Sequence, residues 1–227
     1  MGTSSTKTKR SLRPSARSRA RYHHGNLRAA LIDATERLIE ESGVENVSVR
    51  EAAKRVGVSS GAPFRHFPTR TALLTAVAEQ ATRRLRDEIE NALAHAPADA
   101  DPLMRFRALG TAYMRWVTNN PTQFAVVSSR SLIDYDNSPS LRIDNDHMRA
   151  LMDGLLEDAH DQGLLGPSDT NTVAFAARAI AYGVARMFVD GHFAQWKIED
   201  GDPQRSFEAV FDLFIAGMRA SSNAAQI

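Results

Sequence analysis

An all-α fold of about nine helices is predicted by three observations. Apolar residues recur at spacings of three and four along most of the chain, and no run alternates as a strand would. Capping side chains followed directly by proline occur at Asp101-Pro102, Asn120-Pro121, Ser138-Pro139 and Asp202-Pro203, each the signature of a helix start. The third is the stretch VREAAKRVGVSSGAPFRHF over residues 49–67, two short helical patterns joined by a glycine-containing turn.

The elements follow in order. An aliphatic first helix carries Leu27, Leu31, Ala34 and Leu38 and stops at Glu41-Ser42-Gly43. Ser48 and Glu51 stand in S-x-x-E spacing, so the hydroxyl can cap a free backbone N–H and a helix should begin at Val49. Val49, Ala52, Ala53 and Val56 form its apolar face, and Gly57 offers the left-handed conformation that ends it. Ser59 is the expected cap of a second short helix running to His66, with Pro63 tolerated in its first turn. Thr69 should cap a long helix reaching about Ala94, with Leu73, Leu74, Val77, Leu85, Ile89 and Leu93 along its inner side. After a break at residues 96–100 come the proline-headed helices. Gly163 and Gly166-Pro167 close one of them, Asp169 opens an alanine-rich helix to about Asp190, and the last helix carries Phe207, Val210, Phe211, Phe214, Ile215 and Met218 as one apolar stripe.

The pair of short helices has the form of a DNA-reading element. In a helix-turn-helix the second helix enters the major groove N-terminus first, which would turn Ser59, Ser60, Gly61 and Ala62 toward bases and phosphates, with Arg65 and His66 within reach of the backbone. Ser48 and Arg50 flank the start of the first helix and join this set, Arg50 and Ser60 as the expected base readers. Charge supports the reading. The chain's net charge of +1 hides an arm, residues 1–22, that holds seven of the 28 cations, Arg21 among them, and no acid; the remaining 21 cations face 27 acids, a net of −6. A flexible basic arm beside a reading head adds salt-sensitive affinity for phosphates with little sequence information, although charge blocks are often plain solvated tails.

Residues 26–81 resemble the DNA-binding region of the tetracycline-repressor (TetR) family of transcription regulators. The resemblance rests on the aliphatic first helix, the Glu41-Ser42-Gly43 stop, the Val47-Ser48-Val49-Arg50 start, the Gly57-Val58-Ser59 turn, and Phe64-Arg65-His66-Phe67 followed by Arg70 and Leu73-Leu74. The opening His23-His24-Gly25-Asn26-Leu27 and Ser60-Gly61-Ala62-Pro63 are similar to one branch of the family that often carries Trp-His-Gly in its C-terminal domain, where this chain has Ala181-Tyr182-Gly183. Two departures fall in the reading head. The family commonly places a phosphate-binding Tyr where Phe64 stands, and Lys followed by an acid where this chain has Arg70-Thr71, which keeps a cation for phosphate anchoring.

The resemblance implies a division into a basic arm (1–22), a helix-turn-helix domain (23–70), a linker helix (71–95), a regulatory and dimerisation domain (96–220) and a tail (221–227). It implies a homodimeric, ligand-responsive regulator, a repressor by expectation, that binds double-stranded DNA at a near-palindromic operator and is released by a small-molecule effector. Phe106, Tyr113, Trp116, Phe124, Met148, Met152 and Tyr182 are the expected lining of the effector pocket, an apolar wall with a few polar tips. Ala177, Ala181, Phe207, Phe211, Phe214 and Met218 are the expected dimer interface, a four-helix seam, against the alternative that the last-helix stripe packs inside its own chain.

Other function classes are weak. The absence of cysteine excludes disulfides, thiolate metal sites and cysteine nucleophiles. No HExxH motif occurs, and His147 and His160 are not spaced as a metal pair, so neither metal nor cofactor is expected. Gly57-Val58-Ser59-Ser60-Gly61 matches the G-x-S-x-G nucleophile elbow, but that elbow needs a strand before it, and residues 51–56 are helical in period. Ser4-Ser5-Thr6-Lys7 matches S-x-x-K in a tail that can hold no geometry, so no enzyme is expected. No apolar run is read as approaching the roughly 18 residues of a membrane span, and the basic N-terminus lacks the apolar core of a secretory signal, which together predict a cytoplasmic protein without a membrane partner. The alternative left open is a helical protein-interaction or nonspecific DNA-binding protein.

Overall fold

The structure, a computed structural model, describes residues 27–196 and 202–219. Among them are eight α-helices: α1 (Leu27–Ser42), α2 (Val49–Val56), α3 (Arg70–Ala94), α4 (Pro102–Asn119), α5 (Pro121–Val127), α6 (Pro139–Asp161), α7 (Thr170–Val189) and α8 (Pro203–Met218). Three 3₁₀ turns, Val44–Asn46, Ala62–Arg65 and His192–Trp196, complete the order. No strand forms among the described residues; a single antiparallel bridge, Leu165 to Arg219, ties the loop before α7 to the end of α8.

Local chemistry sets the helix starts. The side chains of Ser48, Thr69, Asp101, Ser138, Asp169 and Asp202 each accept a backbone N–H from the first turn of the helix they precede, relieving donors that have no partner inside the helix. Asn120 is the exception. Its amide donates 2.9 Å back to the Trp116 carbonyl, closing α4 instead of opening α5. Gly57 ends α2 at φ 78°, the left-handed conformation that favours glycine.

Two apolar cores result. The first joins α1, α2 and the first half of α3 through Leu31, Ile32, Val49, Ala52, Phe67, Leu73, Leu74 and Val77. Three residues from much later in the chain complete it: Val126 at the end of α5, Ile133 in the following loop and Leu141 in α6 are all buried there. The second half of α3 turns into the larger core with α4, α6, α7 and α8. Polar ties run along the same helix. Arg84 pairs with buried Glu36 of α1 at 3.1 Å, Arg86 with buried Asp144 of α6 at 2.6 Å, and Glu79 accepts from Ser138 at 2.8 Å while meeting Arg28 of α1 at 3.5 Å.

Most of the last-helix stripe packs inside its own chain, so Phe207, Phe211, Ile215 and Met218 already have cover without a partner, while Val210 stays exposed and Phe214 half-buried. Phe207, Phe211 and Met218 are buried, Phe207 and Phe211 stack at 4.9 Å between ring centroids, and Phe211 reaches Phe106 of α4 at 5.5 Å. Gly110 makes this possible. A Cβ at that position would stand 2.5 Å from the Phe211 ring, so only glycine leaves a slot for the ring between α4 and α8. Ala177 faces the same core, Ala181 and Phe214 are half-buried, and the small-residue side of α7 is therefore spent on packing within the protomer.

Large apolar side chains also remain on the outside of α7 and α8, among charged residues such as Arg178 and Asp212. Phe175 is 76% exposed and Leu213 75%, with Tyr182 and Val210 also on the surface. Contrary to the sequence expectation, α7 is long and apolar enough, by length and composition alone, to cross a membrane. Here it packs against α4, α6 and α8.

Candidate nucleic-acid interface

The head presents one polar edge. Its sequence dictates which side chains go inward: in the 3₁₀ turn, Pro63 and the following Phe67 are buried, while Ser59, Ser60, Gly61, Phe64, Arg65 and His66 are exposed and Ala62 is half-buried. The expected second helix contracts to this turn. Its first residues are a glycine at φ −87° without any side-chain cap and a proline at the second position, and the Ser59 contribution is its carbonyl, which accepts the Ala62 N–H at 3.1 Å, rather than its hydroxyl. A concavity of about 500 Å³ opens on this edge, lined by Leu27, Ser59, Gly61, Ala62, Arg65 and His66.

The first helix of the pair is oriented by its ends. Ser48 Oγ accepts the Glu51 N–H at 3.1 Å, as its spacing predicts, leaving Ser48 and Arg50 exposed at the start of α2. At the other end Arg55 forks onto Glu41 of α1, with one hydrogen bond at 2.8 Å, and this pairing holds the Glu41 carboxyl below the usual range. Arg55 is thereby occupied with the fold. Arg50 and Arg65 make no ion pair among the described residues, so both cations remain available to an anionic partner.

Phe64 is 39% exposed between buried Pro63 and Phe67. Exposure to this degree matches a side chain that meets a partner and not one that fills the head. Arg70 does something the sequence did not reveal. Its Nε donates to the Val47 carbonyl at 3.0 Å and its Nη2 to the Val44 carbonyl at 2.7 Å, with Glu45 at 3.9 Å. The guanidinium expected to anchor a phosphate is directed into the α1–α2 loop. Arg21 lies outside the described residues.

In the larger domain the expected pocket residues divide. Tyr113, Phe124 and Tyr182 meet ring to ring, at 6.4 Å edge-on and 6.0 Å tilted, and half-buried Met148 and Met152 pack on the same core. Burial pushes the Tyr113 phenol above its ordinary range, against the opposing pull of Arg178. Trp116 is buried with its indole N–H unpartnered. Phe106 belongs elsewhere: it is fully buried in the ring stack with Phe211, which removes it from any lining. The concavity found in this domain, about 420 Å³ lined by His95, Met104, Arg107, Thr111 and Arg115 among others, contains none of the expected lining residues.

Two family models match the chain in tandem. Residues 31–77 match the bacterial regulatory proteins of the tetR family, and residues 106–214 match the tetracyclin repressor-like C-terminal domain. The chain belongs to the TetR family of transcriptional regulators. Among curated TetR-type relatives, the transcriptional regulator BetI of Klebsiella pneumoniae is 37% identical over 82 residues, 36% of this chain. The match spans only 42% of that relative's length. Among solved structures, a protein of unknown function from Rhodococcus sp. RHA1 superimposes with a TM-score of 0.70 at 29% identity, covering 88% of this chain and 98% of that one. The ketosteroid regulator KstR2 of Mycobacterium tuberculosis superimposes with a TM-score of 0.63 at 17% identity over 86% of this chain and 96% of its own, a likeness of fold alone.

The TetR assignment covers the helix-turn-helix and the helical C-terminal domain together. Sequence reasoning missed the contribution of Val126, Ile133 and Leu141 to the head core. Their apolar character was visible, but nothing local ties them to residues some 50 to 100 positions earlier.

Proposed function

We propose that this TetR-family chain is a repressor that binds a near-palindromic operator as a homodimer and is released by a small-molecule effector. One observation carries the DNA face: Ser59, Ser60, Gly61, Phe64, Arg65 and His66 are all exposed, Ser59, Gly61, Arg65 and His66 line one concavity, and Arg50 is exposed without an ion pair among the described residues. Small side chains at the start of this row allow close approach of backbone to the groove, and the cations favour phosphate. Ser48, Arg50 and the row over residues 59–66 meet the DNA, Arg50 and Ser60 at bases, and the arm with Arg21 adds phosphate pairing.

The dimer forms through the outer faces of α7 and α8, around Phe175, Tyr182, Val210, Leu213 and the outer edge of Phe214. Isolated exposed apolar residues are ordinary, but a contiguous face on two adjacent helices calls for a partner surface. The effector site lies at Tyr113, Phe124, Tyr182, Met148 and Met152 near Trp116, where an unpaired buried donor and aromatic walls suit a small molecule. The effector acts by preferring the state whose head spacing does not fit the operator. No enzymatic step is assigned, and the working compartment is the cytoplasm.

Selection of bound fragments from a random DNA pool tests this reading. The expected product is a two-fold-related motif whose half-sites lie about one helical turn, roughly 34–36 Å, apart. Enrichment without a common motif would favour the nonspecific DNA-binding alternative and overturn the repressor proposal.

A further inference from the structure

We propose that Arg70 is a positioning residue that locks the start of α2 onto the first turn of α3, instead of a phosphate anchor. The inference rests on the reading of the head as the DNA interface. Arg70 is the first residue of α3, and its fork reaches back across the head to two carbonyls, those of Val44 and Val47, at 2.7 and 3.0 Å. Val47 directly precedes Ser48, the cap that starts α2. Nε and Nη2 lie on one edge of the planar guanidinium, so both bonds are made by a single rigid group.

The arrangement has a mechanical consequence. The loop carbonyls of residues 44 and 47 stand at the two ends of a 3₁₀ turn whose own closure is the Val47 N–H to Val44 carbonyl bond at 3.1 Å. Without Arg70 the loop keeps that closure and the apolar packing of Val47 but loses its hydrogen-bonded tie to α3. With Arg70, any tilt of α3 moves the start of α2, and Ser48 and Arg50 with it. The short linker between the reading turn and α3 holds one side of the head; Arg70 holds the other. Lysine cannot replace it, because one ammonium on a flexible stem does not present two parallel donors to two fixed carbonyls.

Charge and fork are separated by comparing Arg70→Lys with Arg70→Ala in the full chain. Affinity is titrated on the selected operator and on unrelated DNA at several salt concentrations, with melting temperature as the folding control. Both variants are expected to lower operator affinity by about tenfold, to change little on unrelated DNA, and to keep the wild-type slope of log affinity against log salt. A phosphate anchor would give the opposite pattern: Lys would preserve affinity, and Ala would lower the slope by roughly 0.9. That pattern would overturn the proposal, as would equal losses on both DNAs accompanied by a large fall in melting temperature, which marks a merely structural residue.

Amide hydrogen exchange without DNA decides the point independently. Faster exchange confined to residues 44–53 in Arg70→Lys is expected, with the second half of α3 unchanged; unchanged exchange in that loop would refute the lock. Failure of the DNA reading itself would show in the wild type alone, as absence of an enriched motif.

Discussion

The head and the α7–α8 end are both built from helices packed around buried phenylalanine, yet they finish with opposite surfaces. In the head, Phe67 is buried, and the exposed edge carries serines, glycine and cations around one half-exposed ring, Phe64. At the other end three phenylalanines stack inside, and the outside still carries Phe175, Tyr182, Val210 and Leu213. A polar, small-residue surface with unpaired arginines is suited to a hydrated phosphate backbone, whereas an apolar one gains only by meeting another apolar surface. The same helical architecture is thus addressed to two kinds of partner by what is left over once each core is filled.

The sharpest way to break the comparison is to ask whether Phe211 belongs to the core or to the seam. Phe211→Ala removes a ring stacked between Phe207 and Phe214, and a phenylalanine truncation in a core costs about 3–5 kcal/mol. Chemical denaturation should show that loss at all protein concentrations. A variant of wild-type stability that merely dissociates would return Phe211 to the interface. The complementary change is Leu213→Glu, which places a charge on the exposed face without touching either core. Sedimentation should give a folded monomer with native helix content; a dimer of undiminished strength would move the interface elsewhere.

On the head side, deleting residues 1–20 should weaken binding to all DNA alike and flatten the salt dependence, by roughly 0.9 in slope for each phosphate no longer neutralised. An unchanged slope would make the arm a solvated tail. The smallest effect concerns Glu36, which joins α1 to α3. Burial raises its carboxyl above the usual range, more than Arg84 lowers it. The folded state therefore holds the proton more tightly than the unfolded chain, so this residue's contribution to stability is fully present below the ordinary carboxylate range and is lost as pH rises through its higher folded value. The difference between wild type and Glu36→Gln, followed by denaturation across that window, should carry this sign; the reverse sign would mean that pairing with Arg84 outweighs burial.

How much of this was legible depended on range. Caps were readable because a side chain bonds its own neighbourhood: Ser48, Thr69, Asp101, Ser138, Asp169 and Asp202 all act where their spacing predicts. Asn120 misled because a residue between two helices can serve either, and its amide closes the one before. The second reading helix shortened to a 3₁₀ turn, and the expected cap did not form: Gly61 stands at its start and supplies no side-chain cap. Periodicity showed that the α8 stripe needed cover but not whose; the answer lay in Gly110, 101 positions before the ring it admits. Arg70 was read by its charge, while its role follows from two carbonyls that no sequence pattern marks.

The central claim is that DNA sits against the exposed edge of residues 59–66, and Phe64 tests it most directly. Phe64→Tyr adds a hydroxyl to a partly exposed ring, and one hydrogen bond to a phosphate is worth roughly 1.5–3 kcal/mol before ordering costs. Matched titrations on the selected operator and on unrelated DNA should show affinity rising by about tenfold on both, since pairing with a phosphate carries no sequence information, with the melting temperature unchanged. No gain on either DNA would contradict the account by placing the backbone away from Phe64, and a large loss of stability would contradict it by placing the ring inside the head.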